Sequence, residues 1–202
     1  MAFRFEEKIK LNLKKKFLFK EWLNSQKSYK IYPDREVYSI YFDNNSFQTY
    51  LESVEGIVPR KKFRLRTYNF KNLFSNKFNI EIKESLSFGR KKNSKKIEKI
   101  ENLLLHGIFF KNYGICYPKI IVKYLREYYV LSNNRLTLDS NIAFKKFDFY
   151  NKSNISFKSF NSIVAEIKSD SINNINEVNK DLPFEKTRFS KYCFGIESFF
   201  NL

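Results

Sequence analysis

Between residues 60 and 83 the chain alternates with a period of two, and that pattern restricts this region to β-structure. In Arg60-Lys61-Lys62-Phe63-Arg64-Leu65-Arg66-Thr67-Tyr68, an extended backbone sends Arg60, Lys62, Arg64 and Arg66 to one face and Phe63 and Leu65 to the other. After a turn-rich gap, Phe78, Ile80 and Ile82 form the apolar side of a second strand, and Glu81 and Lys83 its charged side. Cross-strand neighbours lie only about 5 Å apart, so four aligned cations require solvent or a counter-charge. A solvated basic face of a half-exposed sheet meets that requirement, and so does a bound anion.

Charge elsewhere favours the anion. The 202 residues carry a formal net charge of +17, more than solubility demands, which implies nucleic acid, an acidic membrane face or phosphate chains as partner. Richness in Lys, Asn, Ile and Phe fits an AT-rich genome, so the argument rests on where the cations fall. With 18% aromatic residues, five Gly and four Pro, the chain reads as folded throughout and as one domain, residues 1–202. Cys116 and Cys193 lack CxxC spacing and a His or Cys cluster, which argues against a zinc or redox site. The expected setting is a soluble protein of a reducing, cytoplasmic compartment, because neither a signal core nor a spanning apolar run is visible.

Taken in order, Phe3–Leu11 reads as a strand with Arg4, Glu6, Lys8 and Lys10 on its ionic face. Asn12 is positioned to cap a helix over 13–23, Val37–Asp43 forms a strand, and Ser46 begins a short helix ended by Gly56. Residues 89–94 read as a basic loop before a helix over 95–105 ended by Gly107, with the single histidine, His106, at a surface helix end. Pro118–Leu131 is a strand bearing Tyr124, Arg126 and Tyr128 on one face. Asn133-Asn134 turns it into Arg135-Leu136-Thr137-Leu138-Asp139. A further strand is expected over 144–150, then Ile163–Lys168, then a last short helix ending near Phe200. About eight strands without a βαβ rhythm predict an α+β, mainly β fold, a closed eight-stranded antiparallel barrel with short flanking helices.

Three strands place a Glu two residues before a Lys on a charged face: Glu6 and Lys8, Glu81 and Lys83, Glu166 and Lys168. If those faces line the barrel, the lumen collects Lys8, Lys62, Arg64, Arg66, Lys83, Arg126, Arg135 and Lys168, an arrangement tolerable only around an anion. Arg4-Phe5-Glu6-Glu7-Lys8, Tyr41-Phe42-Asp43, Arg64-x-Arg66, Glu81-Ile82-Lys83, Tyr124-Leu125-Arg126, Arg135 to Asp139, Glu166-Ile167-Lys168 and Ser190-Lys191-Tyr192 resemble the successive motifs of the VTC domain. That family is the polyphosphate polymerase branch of the triphosphate tunnel metalloenzymes, with a CYTH-like fold. Each motif alone is unspecific; the ordered set is not.

The resemblance implies a tunnel that takes ATP and transfers its γ-phosphoryl group to inorganic polyphosphate. Carried over motif by motif, Lys8, Arg64, Arg66, Lys83, Arg126, Arg135, Lys168 and Lys191 would contact phosphates. Lys62, Lys91 or Arg90, Tyr124 and Ser190 would extend the binding path. Glu166 would be the main ligand of Mn²⁺ or Mg²⁺, with Glu6 and Glu81 as secondary ligands or as partners orienting lysines. The SPX module and membrane segments of eukaryotic relatives have no counterpart in the 202 residues, so coupling to translocation would need a separate membrane protein. Inorganic triphosphatase of the same fold, and a non-catalytic module binding polyphosphate or nucleotide, are the competing readings; no specific nucleic-acid partner is expected, and salt-dependent nucleic-acid binding is the charge-only alternative.

Overall fold

The computed structural model describes residues 4–71, 77–150 and 156–202. Phe3 and most of the gap between the two basic strands lie outside these residues. In chain order the elements are β1 (Phe5–Leu11), α1 (Leu13–Ser25), β2 (Tyr29–Asp43), α2 (Gln48–Glu55), β3 (Arg60–Tyr68), β4 (Phe78–Leu86), β5 (Gly89–Ile97), α3 (Glu101–His106) and β6 (Ile108–Phe110). They continue with β7 (Gly114–Leu131), β8 (Asn134–Lys146), β9 (Lys158–Ser159), β10 (Ile163–Ser169), α4 (Ile172–Lys180) and α5 (Lys191–Glu197).

Eight strands follow one another in a single antiparallel sheet, in the order β1-β10-β8-β7-β2-β3-β4-β5, with β6 and β9 attached to β7 and β8. The sheet curls until its two edges meet. Among the described residues their backbones join at one bridge, Arg4 to Arg90, whose two N–H···O bonds are each 3.2 Å. The described residues thus form a curled open sheet in place of the closed barrel expected from sequence. A full ladder there would lay β5, exposed from Lys92 to Lys96, along another strand rich in lysine, and like charges facing across a ladder repel.

Two long central strands absorb irregularities that would break shorter ones. Pro33 has no N–H to give β7, and it falls where the β2–β7 register shifts between Tyr32 and Arg35. Pro118 sits at another shift, between Tyr41 and Phe42.

The convex face is apolar and covered. Phe19, Trp22 and Leu23 of α1 join Ile175 and Val178 of α4 over β1, β8 and β10, while Leu104 of α3 joins Phe63, Leu65 and Phe110 over β2, β3 and β7. Asn12 caps α1 as expected, its side chain accepting from the Lys15 N–H. The concave face is divided. α5 lies against part of it, burying Tyr192, Cys193 and Ile196 on Ile120, Val122, Ile142 and Phe144. A fully buried aromatic or aliphatic side chain contributes about 1.5–3 kcal/mol by its removal from water, enough to hold a helix of two turns in place.

Several expected boundaries differ. Residues 89–97 are a strand, not a loop running into a helix, because each residue pairs with β4 from Phe78↔Ile97 to Leu86↔Gly89; the helix starts only at Glu101. The hairpin turn falls on Ser132-Asn133, since Leu131 already pairs with Asn134, and Ser132 takes the left-handed conformation at φ 52°. The strand expected over 144–150 is the end of β8, which stops at Lys146. α2 starts at Gln48, two residues after the expected Ser46. Among the described residues no helix is long and apolar enough to cross a membrane.

Candidate active site

Where α5 leaves the concave face uncovered, the sheet and the segment before α5 enclose a cavity of about 380 Å³. Its described lining holds twelve Lys or Arg residues against three Glu, so the interior is strongly cationic. Strand alternation places them: Glu6 and Lys8 on β1, Arg60, Lys62, Arg64 and Arg66 on β3, Lys83 on β4, Tyr124 and Arg126 on β7, and Glu166 and Lys168 on β10.

Each arginine of the deep wall is held by fixed partners. Arg64 donates through Nε to Glu81 Oε2 (2.8 Å) and through Nη1 to the Tyr41 hydroxyl (2.9 Å), and its Nη2 is ion-paired with the same Glu81 oxygen at 2.6 Å. Arg66 donates to Ser39 Oγ (3.1 Å) and to the Tyr124 hydroxyl (2.9 Å). Arg126 grips Asp139 with two parallel bonds of 2.6 and 2.7 Å, and Lys191 adds a third at 2.6 Å. Asp139 is wholly buried behind the cavity wall, an acceptor that orients one cation from the sheet and one from α5. Such paired guanidinium groups are preorganised, so little side-chain entropy is lost when an anion binds.

The other wall is the stretch from Lys186 to Tyr192, which straps across the sheet. Thr187 N–H donates to the Lys8 carbonyl (2.7 Å) and the Lys8 ammonium to the Phe189 carbonyl (2.7 Å). The Arg188 guanidinium donates to the Ser53 carbonyl (2.9 Å) and packs close to Gly56. Gly56 ends α2 at φ +84°, a conformation that calls for glycine, and a Cβ there would meet Arg188 Nη2 at 2.8 Å and displace the guanidinium. Ser190 caps α5, accepting from Cys193 N–H (3.3 Å) and from the Lys62 ammonium (3.0 Å). At the far end of β2, the Tyr192 hydroxyl donates to Asp43, whose two carboxylate oxygens also receive the Thr49 and Tyr50 N–H groups of α2. Strap, α2 and α5 are one connected unit.

Electrostatics show what the cavity lacks. Burial pulls the Lys8 and Lys168 ammonium groups down to about 7, with Glu6 opposing the shift at both. Burial also lowers Lys62 and Lys83. Burial alone would raise Glu6, but Lys83, Lys168, Lys8 and Arg90 outweigh it and hold the carboxylate well below its ordinary value. Glu6 Oε2 accepts from Lys83 (2.5 Å) and is ion-paired with Arg90 (2.6 Å), while its Oε1 is buried without a hydrogen-bond partner. Lysines whose proton affinity is lowered by burial are stabilised by any polyanion that enters.

Of the residues expected from sequence, Lys8, Lys62, Arg64, Arg66, Lys83, Tyr124, Arg126, Lys168, Ser190, Lys191, Glu6 and Glu166 line this one cavity. Arg135 does not; it is exposed at the start of β8, in a separate shallow pocket with Arg4 and Asp170. Nor does Lys91, which pairs with Glu84 in the β4–β5 register, whereas its neighbour Arg90 faces the lumen. Glu81 stands behind the wall, its oxygens held by Arg64, Arg66 and Lys92, and so acts as an orienting partner. The Glu-x-Lys device is local only in Glu166 and Lys168, 2.8 Å apart; Glu6 binds across the sheet edge to β4 and β5. Arg188 and Lys186 went unassigned because loop side chains have no alternation to place them. Asp139 shared a face with Arg135 in the sequence pattern, but a pattern identifies a face and not a partner.

The VTC domain family matches this chain over residues 3–104 and, in a second overlapping segment, 90–200. Compared by sequence with curated proteins, the chain matches none significantly. Among solved structures it resembles a candidate adenylate cyclase from Vibrio parahaemolyticus at 12% identity and a TM-score of 0.55, over 94% of this chain and 95% of that one. It also resembles a protein from Pyrococcus horikoshii OT3 at 15% identity and a TM-score of 0.54, over 96% of this chain and 99% of that one. At such identities the likeness speaks for the fold alone. Since the family match runs across nearly the whole sequence and its motifs converge on one cationic cavity, the chain belongs to the VTC domain family, within the triphosphate tunnel fold.

Proposed function

We propose that the domain is a polyphosphate polymerase that transfers the γ-phosphoryl group of ATP to the end of an inorganic polyphosphate chain held in the cavity. The observation that carries this reading is the lining itself, twelve basic side chains against three carboxylates among the described residues, around a space no protein group fills. Phosphoryl transfer depends mainly on in-line positioning and on neutralising charge spread over the equatorial oxygens, which fixed guanidinium groups supply. Arg64, Arg66 and Arg126 are held from behind by Glu81, Tyr41, Ser39, Tyr124 and Asp139, so they orient the phosphates of the donor. Lys8, Lys62 and Lys191 add point charges along the strap.

The residues present fit a divalent cation, Mn²⁺ or Mg²⁺, that is bound partly by substrate. Glu6, with its unpartnered Oε1, and Glu166 rise from adjacent strands into the lumen and would hold it. No cluster of three or more acidic, His or Cys groups occurs among the described residues, and one or two carboxylates suffice for an ion shared with phosphates. When bound, the ion withdraws charge from phosphate oxygens.

A terminal phosphate is already an anion and attacks without a base, so a lumen built of cations suffices for transfer to a chain; hydrolysis of triphosphate is the competing activity of the same fold. A ³¹P NMR time course with ATP and Mg²⁺ tests the reading. Growth of an internal-phosphate signal together with ADP is the expected result. Orthophosphate without chain growth, or unchanged ATP, overturns it.

A further inference from the structure

The two ends of the lumen differ in chemistry. Toward the strap the lining is crowded with cations, Arg60, Lys62, Lys186 and Arg188, beside the rings of Phe189 and Tyr192. In the opposite direction the strands carry tyrosines. Beyond Arg66 on β3, two residues or about 7 Å further along the same face, comes Tyr68; beyond Arg126 on β7 comes Tyr128. Residues directly paired across a ladder share a face. Tyr32 pairs with Tyr128 and Arg35 with Arg126, so both β2 side chains are on the lumenal side too.

These four side chains are in contact. The Arg35 guanidinium carbon lies 4.9 Å from the Tyr32 ring centre, 5.8 Å from Tyr128 and 6.0 Å from Tyr68, and the Tyr32 and Tyr128 rings meet edge to face at 5.6 Å. Tyr128 is the buried floor, whereas Tyr32 and Tyr68 are 47% and 37% exposed. Next to this floor, paired with Tyr128 on one side and Glu166 on the other, is Thr137, 2% exposed and with no hydrogen-bond partner for its hydroxyl. An outer core of tyrosine would be buried more completely, and a phosphate path would carry more cations.

We propose that this end of the lumen is the nucleoside site. The purine base stacks on the exposed tyrosine rings and the Arg35 guanidinium, the ribose lies near Thr137, and the triphosphate runs inward past Arg66 and Arg126. The acceptor phosphate chain then approaches from the opposite, cationic end between β3 and the strap, and the two substrates meet end to end. The proposal rests on the reading of a nucleoside triphosphate as donor, and it assigns a direction to the tunnel. Flat π-faces bind any base, so the site discriminates nucleotide from bare triphosphate more than ATP from GTP.

The test is a comparison of two ligands. Dissociation constants for ATP and for tripolyphosphate, measured by calorimetry at one metal and salt concentration, are compared among wild type, Tyr32→Ala/Tyr68→Ala and Tyr32→Phe/Tyr68→Phe. Loss of base stacking is expected to weaken ATP about tenfold or more in the alanine variant while tripolyphosphate stays within about twofold, and the phenylalanine variant keeps the wild-type ATP affinity. An equal loss for both ligands, or no loss for ATP, overturns the nucleoside site while leaving a phosphate-binding lumen intact. A wild-type protein that binds neither ligand overturns both readings.

Discussion

Replacing Asp139 by Asn tests whether the cavity is held together by charges behind its wall. Asp139 is wholly buried and takes two bonds from Arg126 and one from Lys191, all between 2.6 and 2.7 Å. Asparagine keeps the shape but leaves a guanidinium and an ammonium side by side without a counter-charge. Three charge-assisted bonds at about 1.5–3 kcal/mol each set an upper bound that non-additivity reduces. Glu166, 3.7 Å from Arg126, compensates in part. Breaking a buried pair from one side costs about 3–5 kcal/mol, which is the expected loss. With a urea m-value near 2 kcal/mol/M, the unfolding midpoint falls by about 1.5–2.5 M at pH 7. Tripolyphosphate supplies the missing negative charge, so it binds the variant more tightly than wild type and restores about 2.7 kcal/mol at a hundredfold excess over its dissociation constant. A midpoint shift below about 0.5 M, or weaker tripolyphosphate binding in the variant, would refute the assignment of Asp139 as the anchor of these two cations.

Arg66→Ala is expected to abolish phosphate incorporation while leaving far-UV circular dichroism unchanged, because Ser39 and Tyr124 keep their strand positions; a variant retaining full turnover removes Arg66 from the site. Burial would raise Glu81, yet Arg64, Arg66 and Lys92 bring it down to about 2. A depressed carboxylate contributes stability above its unfolded value, near 4.3, and loses it as pH falls toward 2. The difference in melting temperature between wild type and Glu81→Gln therefore narrows from pH 6 to pH 3, and a gap constant with pH contradicts the pairing. Burial pushes the Cys116 thiol up to about 12, so at pH 8 it reacts with a thiol reagent only after unfolding; rapid labelling of the native protein at this residue, read by peptide mass, contradicts that placement.

How far the sequence foretold this molecule depends on which forces place each residue. Period-two alternation belongs to the backbone, so β3, β4, β7 and β10 and the shared face of Arg64, Arg66, Arg126, Glu166 and Lys168 were legible without a partner in view. β5 was not, because its five exposed residues from Lys92 to Lys96 suit a loop or a helix in isolation and become a strand only by pairing with β4. α4, with four asparagines among nine residues, has little helical propensity of its own and is fixed by its Ser171 cap and by Ile175 and Val178 against the sheet. The same distinction divides the site. Lumenal cations follow from alternation, but their anchors Asp139 and Glu81 and the strap residue Arg188 follow from contacts 13, 17 and 135 residues apart. A sheet that turns its charges inward needs such contacts: cations aimed at an empty cavity repel one another at about 3 kcal/mol per pair at 5 Å and an effective dielectric constant of 20. Anchoring carboxylates behind the wall remove part of that repulsion, and the remainder favours a polyanionic ligand.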